Sequence, residues 1–346
     1  MWPLIRLLPK KTNLTYVKFA GFAAFISIAL CVVSIVSIFT GGLRENPIEV
    51  YQQAEGTPLQ RVGAIMEHGF NLGIDFRGGT SLLIESPQPI DARALEALGR
   101  EAQDGDIEVQ GATCRPTNAP PYCAILNFET APDQAQTVEE IRAGLPAIAP
   151  GARIANVDSV SAKVSEELFT GGLTALGLAM LLMLAYIWFR FEWQFGVGAM
   201  LGLLHDVILT LGIFSVFRIE FTLTIIAALL TIIGYGINDT VVVFDRIREN
   251  LRKYKKMPLG ELIDLSLNET LSRTIMTGCT AVFALIGLLF LGGDALSGFA
   301  IAMLFGIICG TYSSLYVAAP VILLWGVKRG GVAKADDTRG ASQTAS

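Results

Sequence analysis

Charge is what this sequence has least of. Only 16% of its 346 residues are Asp, Glu, Lys or Arg, against 52% apolar ones, and the mean hydropathy is +0.52. A soluble globular domain carries about a quarter charged residues, so that class is excluded. Histidine is scarcer still, with His68 and His205 alone, and no Cys or His spacing points to a metal centre. There is no G-x-x-x-x-G-K-[ST] phosphate loop, no H-E-x-x-H and no G-x-S-x-G. The chain is therefore expected to be no enzyme, to hold no cofactor or metal, and to draw no energy from ATP by itself. A net charge of −5 gives no reason to expect nucleic acid as a partner.

Long apolar runs are what it has instead. Windows of membrane-spanning length fall at Val17 to Phe39, Leu168 to Phe189, Phe195 to Phe217, Phe221 to Phe244, Thr274 to Leu291 and Phe299 to Trp325. These predict a polytopic α-helical membrane protein with six transmembrane helices, the last long enough to tilt or break near Pro320. The first run exceeds the apolar core of a secretory signal and is followed by no A-x-A site, so it reads as a retained anchor. Basic residues set the orientation. Arg6, Lys10, Lys11 and Lys18 flank the first helix, six basic residues lie between Arg246 and Lys256, and Lys328 and Arg329 follow the sixth helix. All three places are expected to be cytoplasmic. Residues 1–16 then form a cytoplasmic N-terminus, 168–325 a five-helix bundle, and 326–346 a cytoplasmic tail, small, polar and disordered towards its end.

Residues 40–167, with 19 acidic and 9 basic residues, are expected on the exported side. Their pattern reads as strand at Gly79 to Ser86, helix at Asp91 to Gln103, strands at Ile107 to Gly111 and Tyr122 to Phe128, helix at Asp133 to Ile148, and strand at Ala152 to Val160. That β-α-β-β-α-β order suits a small α+β ferredoxin-like external domain between helices 1 and 2, its core at about 70–160. Leu95, Leu98, Val138, Ile141 and Leu145 form its packing stripes. Residues 41–66 read as a linker or extended arm. Cys31, Cys279 and Cys309 lie in apolar helices as small packing residues. Cys114 and Cys123 flank RPTNAPPY between two strands on the oxidising side, where a hairpin-closing disulfide is expected.

Charges inside the apolar runs are the candidate functional residues. GYGINDTVVVFDRIREN, Gly234 to Asn250, sets Asn238 and Asp239 side by side within a membrane helix, where an unpaired carboxylate costs several kcal/mol. Arg273 comes 34 residues later, where the fifth helix is expected to begin, at a depth that would let it meet Asp239. His205 and Asp206 sit in the middle of the third helix as a possible secondary polar station. An aspartate is too short to snorkel to the headgroups, so Asp239 and Asp206 point to an ion or proton pathway, with a structural ion pair as the alternative. His205 is open between a proton relay and a helix-to-helix hydrogen bond. Gly198-x-x-x-Gly202 and Gly306-x-x-x-Gly310 read as close helix packing.

GYGINDTVVVFDRIREN resembles the fourth-helix signature of the SecF proteins, accessory subunits of the bacterial Sec export channel. FNLGIDFRGGTSLLIES at Phe70 to Ser86, LLHDVILTLGIF at Leu203 to Phe214 and ETLSRTIMT at Glu269 to Thr277 resemble the same family, in the same order. Family members often have Ser where this chain has Gly236, and Ser-Leu where it has Gly278 and Cys279. The partner family, SecD, carries a much larger external region. The resemblance implies membership of the resistance-nodulation-division superfamily of proton-driven transporters, with Asp239 and Arg273 in the proton pathway. It also implies the bacterial inner membrane with its lipid, SecD as partner, the SecYEG channel and YajC as neighbours, and unfolded preprotein as substrate. From the residues alone, a six-helix half of a proton-driven small-molecule or lipid exporter and a non-transporting membrane scaffold remain the alternatives.

Overall fold

A computed structural model describes residues 12–43, 52, 69–103, 105, 107–112, 122–129 and 134–327. Its elements, in chain order, are α1 (Tyr16–Phe39), β1 (Asn71–Leu72), α2 (Ile74–Arg77), β2 (Gly79–Ser86), α3 (Ala92–Ala102), β3 (Ile107–Ala112), β4 (Tyr122–Phe128), α4 (Gln134–Ile148) and β5 (Arg153–Val160). The second half is α5 (Ala162–Arg190), α6 (Trp193–Phe217), β6 (Glu220–Phe221), α7 (Leu223–Lys253), α8 (Leu259–Leu291), α9 (Asp294–Ser313), a π-helical turn (Ser314–Ala318) and α10 (Ala319–Trp325). Six helices are long and apolar enough to cross a membrane: α1, α5, α6, α7, α8 and the run from Leu296 to Trp325.

Two boundaries differ from expectation. The fifth spanning helix does not begin at Thr274: α8 starts at Leu259. Its first turns are amphipathic, with Leu262, Ile263, Leu267 and Leu271 buried beneath charged Glu261, Asp264 and Glu269, so a hydropathy window passes over them. The fourth begins at Leu223 and runs on to Lys253, because the charges after Phe244 find partners: Asp245 with Arg190 at 2.9 Å and Arg246 with Glu269 at 2.7 Å. The break expected near Pro320 is a widened turn. Proline lacks an N–H, and its ring clashes with the carbonyl four residues before it, here that of Tyr316, which the π turn accommodates.

The external domain is a four-stranded antiparallel sheet in the order β3-β4-β2-β5, with α3 and α4 on one face. Leu82 and Ile84 of β2 and Leu126 of β4 point towards the helices, as strand alternation dictates, and pack on Leu95, Ile141 and Leu145. These six side chains are fully enclosed and form the domain's core. The opposite sheet face turns to the bundle across a cleft of about 820 Å³, lined by Ser81, Leu83 and Glu85 on one side and Glu220, Thr222 and Thr224 on the other.

Within the bundle α6, α7 and the run from Leu296 to Trp325 are the most enclosed, whereas α5 and α8 present most of their surface outward. The small-residue spacings do what packing requires. A Cβ on Gly198 would stand 2.6 Å from the Ala318 carbonyl, so only glycine lets α6 lie against the π turn.

Candidate functional site

The external domain is tied to the bundle by the segment Gly69–Gly79. β1 pairs in parallel with β6, Asn71 opposite Glu220 and Leu72 opposite Phe221, and Phe70 and Phe76 pack on Phe221. The chain then makes the single turn α2 and doubles back through Gly78 and Gly79, whose φ angles of +76° and +116° exclude other residues without strain. Two polar contacts bind this turn to the membrane helices. Ser165, at the start of α5, donates to the Ile74 carbonyl at 2.9 Å. Leu223, the first residue of α7, donates its backbone N–H to Asp75 Oδ2 at 2.8 Å. Thr222, the residue at the N-cap, makes no side-chain cap bond, so Asp75 supplies from 148 residues away the carboxylate that a helix start attracts. Sequence reading missed this role, since nothing local marks a cap donated across the fold. Beside it, Glu220 is pushed above the ordinary glutamate range, first by burial and then by the neighbouring carboxylates Glu108 and Asp75.

Asp239 lies near the middle of α7 and is 3% exposed. Among the described residues it makes no hydrogen bond and no ion pair within 4.0 Å. Arg273 lies well inside α8 rather than at its start, and acts on Asp239 through space instead of by the contact expected. Asn238 and Arg273 are both exposed on the outside of the bundle. The three residues therefore do not converge on an interior pocket of this chain. Asp239 points in, while its neighbour and its cation look out, towards whatever packs against α7 and α8. A buried hydroxyl with no partner among the described residues stands close by, that of Thr274, next to Arg273, and Tyr235, beside Thr277, is in electrostatic reach of Asp239. Orphaned polar atoms of this kind mark positions for water.

His205 and Asp206 do converge, on a different face. The His205 ring is hydrogen-bonded through Nδ1 to Asp206 Oδ1 at 2.9 Å, and Ser313 Oγ donates to Asp206 Oδ2 at 2.7 Å. Asp206 also stands against two glycines, Gly236 of α7 and Gly310 of α9, where a Cβ would lie 3.5 Å from Oδ2. The second polar station thus joins α6, α7 and α9. Ser313 was not singled out from the sequence, where a serine in an apolar helix is unremarked.

Cys123 is disulfide-bonded, and Cys114, the partner expected for it, lies outside the described residues. Cys31, Cys279 and Cys309 are free. No group of His, Cys, Asp and Glu among the described residues is arranged to hold a metal ion.

Comparison with known proteins adds three findings. Residues 141–328 match the model of the protein export membrane protein SecD/SecF, C-terminal, and residues 63–89 match that of the SecD/SecF GG motif. The protein translocase subunit SecF of Cereibacter sphaeroides is 41% identical over 99% of this chain and 98% of its own length, and that of Rhodobacter capsulatus is 44% identical over 75% and 81%. The chain is also 40% identical to part of the protein translocase subunit SecDF of Brucella abortus, over 77% of its length and 35% of that longer protein. The crystal structure of SecDF from Thermus thermophilus, a translocon-associated membrane protein, superposes with a TM-score of 0.72 at 30% identity. That match covers 93% of this chain and 39% of the SecDF chain.

Proposed function

The chain belongs to the SecD/SecF family of protein-export membrane proteins, as a SecF-type translocase subunit and a multi-pass protein of the bacterial inner membrane; from that premise we propose that Asp239 couples proton entry to preprotein export. It works with SecD, which packs against the face carrying Asn238 and Arg273, beside the SecYEG channel and YajC. Both chain ends are cytoplasmic, and residues 40–167 handle the unfolded preprotein on the periplasmic side. The observation that carries the reading is a carboxylate 3% exposed in the middle of a spanning helix, bound to nothing described in its own chain and influenced by one arginine. A structural ion pair would close that contact, and a scaffold would have no need of the charge.

The mechanism follows from the charge balance. When Asp239 is ionised, α7 and α8 are held together by attraction to Arg273; when it takes up a proton, that attraction vanishes and the helices are free to shift. A charge crossing 100 mV of membrane potential is worth about 2.3 kcal/mol, enough to bias such a two-state rearrangement. The Asp75 bond to Leu223, the β1–β6 pair and the Ser165 bond then carry movement at the outer end of α7 into the external domain.

The test is preprotein export into vesicles with and without an imposed proton gradient, using Asp239→Asn, Arg273→Met and the double variant, each with SecD. Asp239→Asn keeps size and hydrogen bonding but cannot titrate, so assembly should survive and gradient-stimulated export should fall. The two defects should not add, because both break one device. Additive defects, or full stimulation in Asp239→Asn, would leave the carboxylate a structural part.

A further inference from the structure

The third and sixth spanning helices carry a second set of polar groups that the Asp239 reading does not use. It begins at the Asp206–His205–Ser313 cluster. With Nδ1 bound to Asp206, the His205 ring turns its other nitrogen, Nε2, away from the carboxylate; that atom is buried and has no partner among the described residues. His205 itself is 5% exposed. Its ring lies 6.0 Å from that of Tyr312, Tyr312 stacks on Tyr316 at 5.3 Å, and Tyr316 meets Tyr16 at 5.5 Å. Tyr312 and Tyr316 are one turn apart, and the π turn holds the second of them, so Pro320 helps to set the ring spacing. Tyr16, 2% exposed, ends the row with a hydroxyl that is again buried without a partner. It is in electrostatic reach of Asp264, whose carboxylate accepts from the next backbone N–H, that of Val17, at 2.9 Å. Tyr312 is fixed in the row by α1: its hydroxyl donates to the Ala23 carbonyl at 3.0 Å and accepts from Ser27 at 3.1 Å.

A buried polar atom with no partner is destabilising, and native proteins usually resolve the cost with water. Here two such atoms stand at opposite ends of one row of polar rings. The row runs from the middle of the bundle to the end that carries the α7–α8 turn. We propose that His205, Asp206, Tyr312, Tyr316 and Tyr16 line a water file that conducts protons between the Asp206 carboxylate and the Asp264 end of the bundle. The proton arriving at Asp206 leaves its oxygen to a file water as another O–H bond forms behind it. Each water of the file gives up one proton while taking another, with His205 Nε2 and the Tyr16 hydroxyl hydrogen-bonded to its two ends, so no group along the file changes its final charge. The inference rests on the proton-coupled reading above and supplies the exit that reading lacks, since Asp206 stands against Gly236, one helical turn from Asp239. The titratable groups in electrostatic reach of Asp206 are His205 on its own helix, Cys31 on α1 and Cys309 on α9. No lysine or arginine on these helices is paired with it to hold it charged.

The test uses infrared difference spectra of the SecD-bound protein in lipid after a drop in pH on the Asp264 side. Asp206→Asn should remove one carboxylic-acid band, and the same band should persist in Asp239→Asn. Ser313→Ala, which deletes one hydrogen bond to Asp206, should shift that band. Tyr16→Phe should slow its rise by about five- to tenfold, the loss of one hydrogen bond of ordinary strength. A tyrosine hydroxyl that was merely buried would instead give, on removal, a more stable protein with unchanged kinetics. The proposal is overturned by a band set unchanged in Asp206→Asn, or by a wild-type rise in Tyr16→Phe. Should Asp206→Asn fail to assemble, a spectrum unaltered by Ser313→Ala overturns it equally. An Asp206 band present where no Asp239 band is found would sink the Asp239 reading and leave this one standing.

Discussion

Replacing Asp75 by Ala should loosen the Leu223 end of α7 without touching the membrane charges. In the folded protein Asp75 Oδ2 takes the N–H of Leu223 at 2.8 Å, and Thr222 offers no cap of its own. Capping bonds of this kind contribute about 1–2 kcal/mol, the charge on the carboxylate placing this one in the upper half. One or two kcal/mol is a factor of about 5–30 in an opening equilibrium. Hydrogen exchange on the SecD-bound protein in lipid should therefore show the first turn of α7, from Leu223 to Ile226, exchanging faster by that factor. Asp75→Asn, which keeps an acceptor and loses the charge, should fall between. If the movement of α7 reaches the external domain through this bond, proton-stimulated export should drop in proportion. Exchange at wild-type rate in Asp75→Ala would refute the capping role and, with it, the route by which the bundle moves the domain.

Other outcomes follow from the same structure. Glu220 is held above the ordinary glutamate range, so the folded junction binds its proton more tightly than the unfolded chain does. Its contribution to stability is complete below about pH 4.5 and is lost as pH rises through the raised value. Glu220→Gln should abolish that loss, which thermal unfolding between about pH 4.5 and neutrality would report as a flattened profile. Gly198→Ala should destabilise the bundle by about 1–3 kcal/mol, because the Ala318 carbonyl cannot move aside, whereas Gly171→Ala, with nothing within 4 Å, should be neutral or slightly stabilising; detergent melts of both would show it. In protein isolated without reductant, Cys114→Ser should expose an alkylatable thiol at Cys123, and a blocked Cys123 in that variant would mean another partner.

The spanning helices and the order of the external elements were legible because each follows from a local pattern: an unbroken apolar run for α1, alternation in Tyr122–Phe128 for β4. The start of α8 was not, because Glu261, Asp264 and Glu269 lower the hydropathy of a stretch whose buried side is as apolar as any. Asp239, Asp206 and His205 stood out as charges in apolar surroundings, but their neighbours did not. That Asn238 and Arg273 face outward depends on how α7 and α8 are rotated in the bundle, which only packing decides. The Tyr312–Tyr316 stack joins residues four apart on one helix face, but two tyrosines in an apolar helix were not singled out. The arrival of Tyr16 from α1 and the Asp75 cap on α7 are contacts across more than a hundred residues, with no trace in any short window.

Whether protons move when preprotein moves bears most directly on the role of Asp239. Inverted vesicles holding a pH-sensitive dye, with the SecD-bound protein and the channel in their membrane, would report it as a flux that begins on addition of preprotein. The wild-type protein should show that flux, and Asp239→Asn, assembled to the same level with SecD, should show none. A preprotein-dependent flux of wild-type size in Asp239→Asn would contradict proton coupling at Asp239.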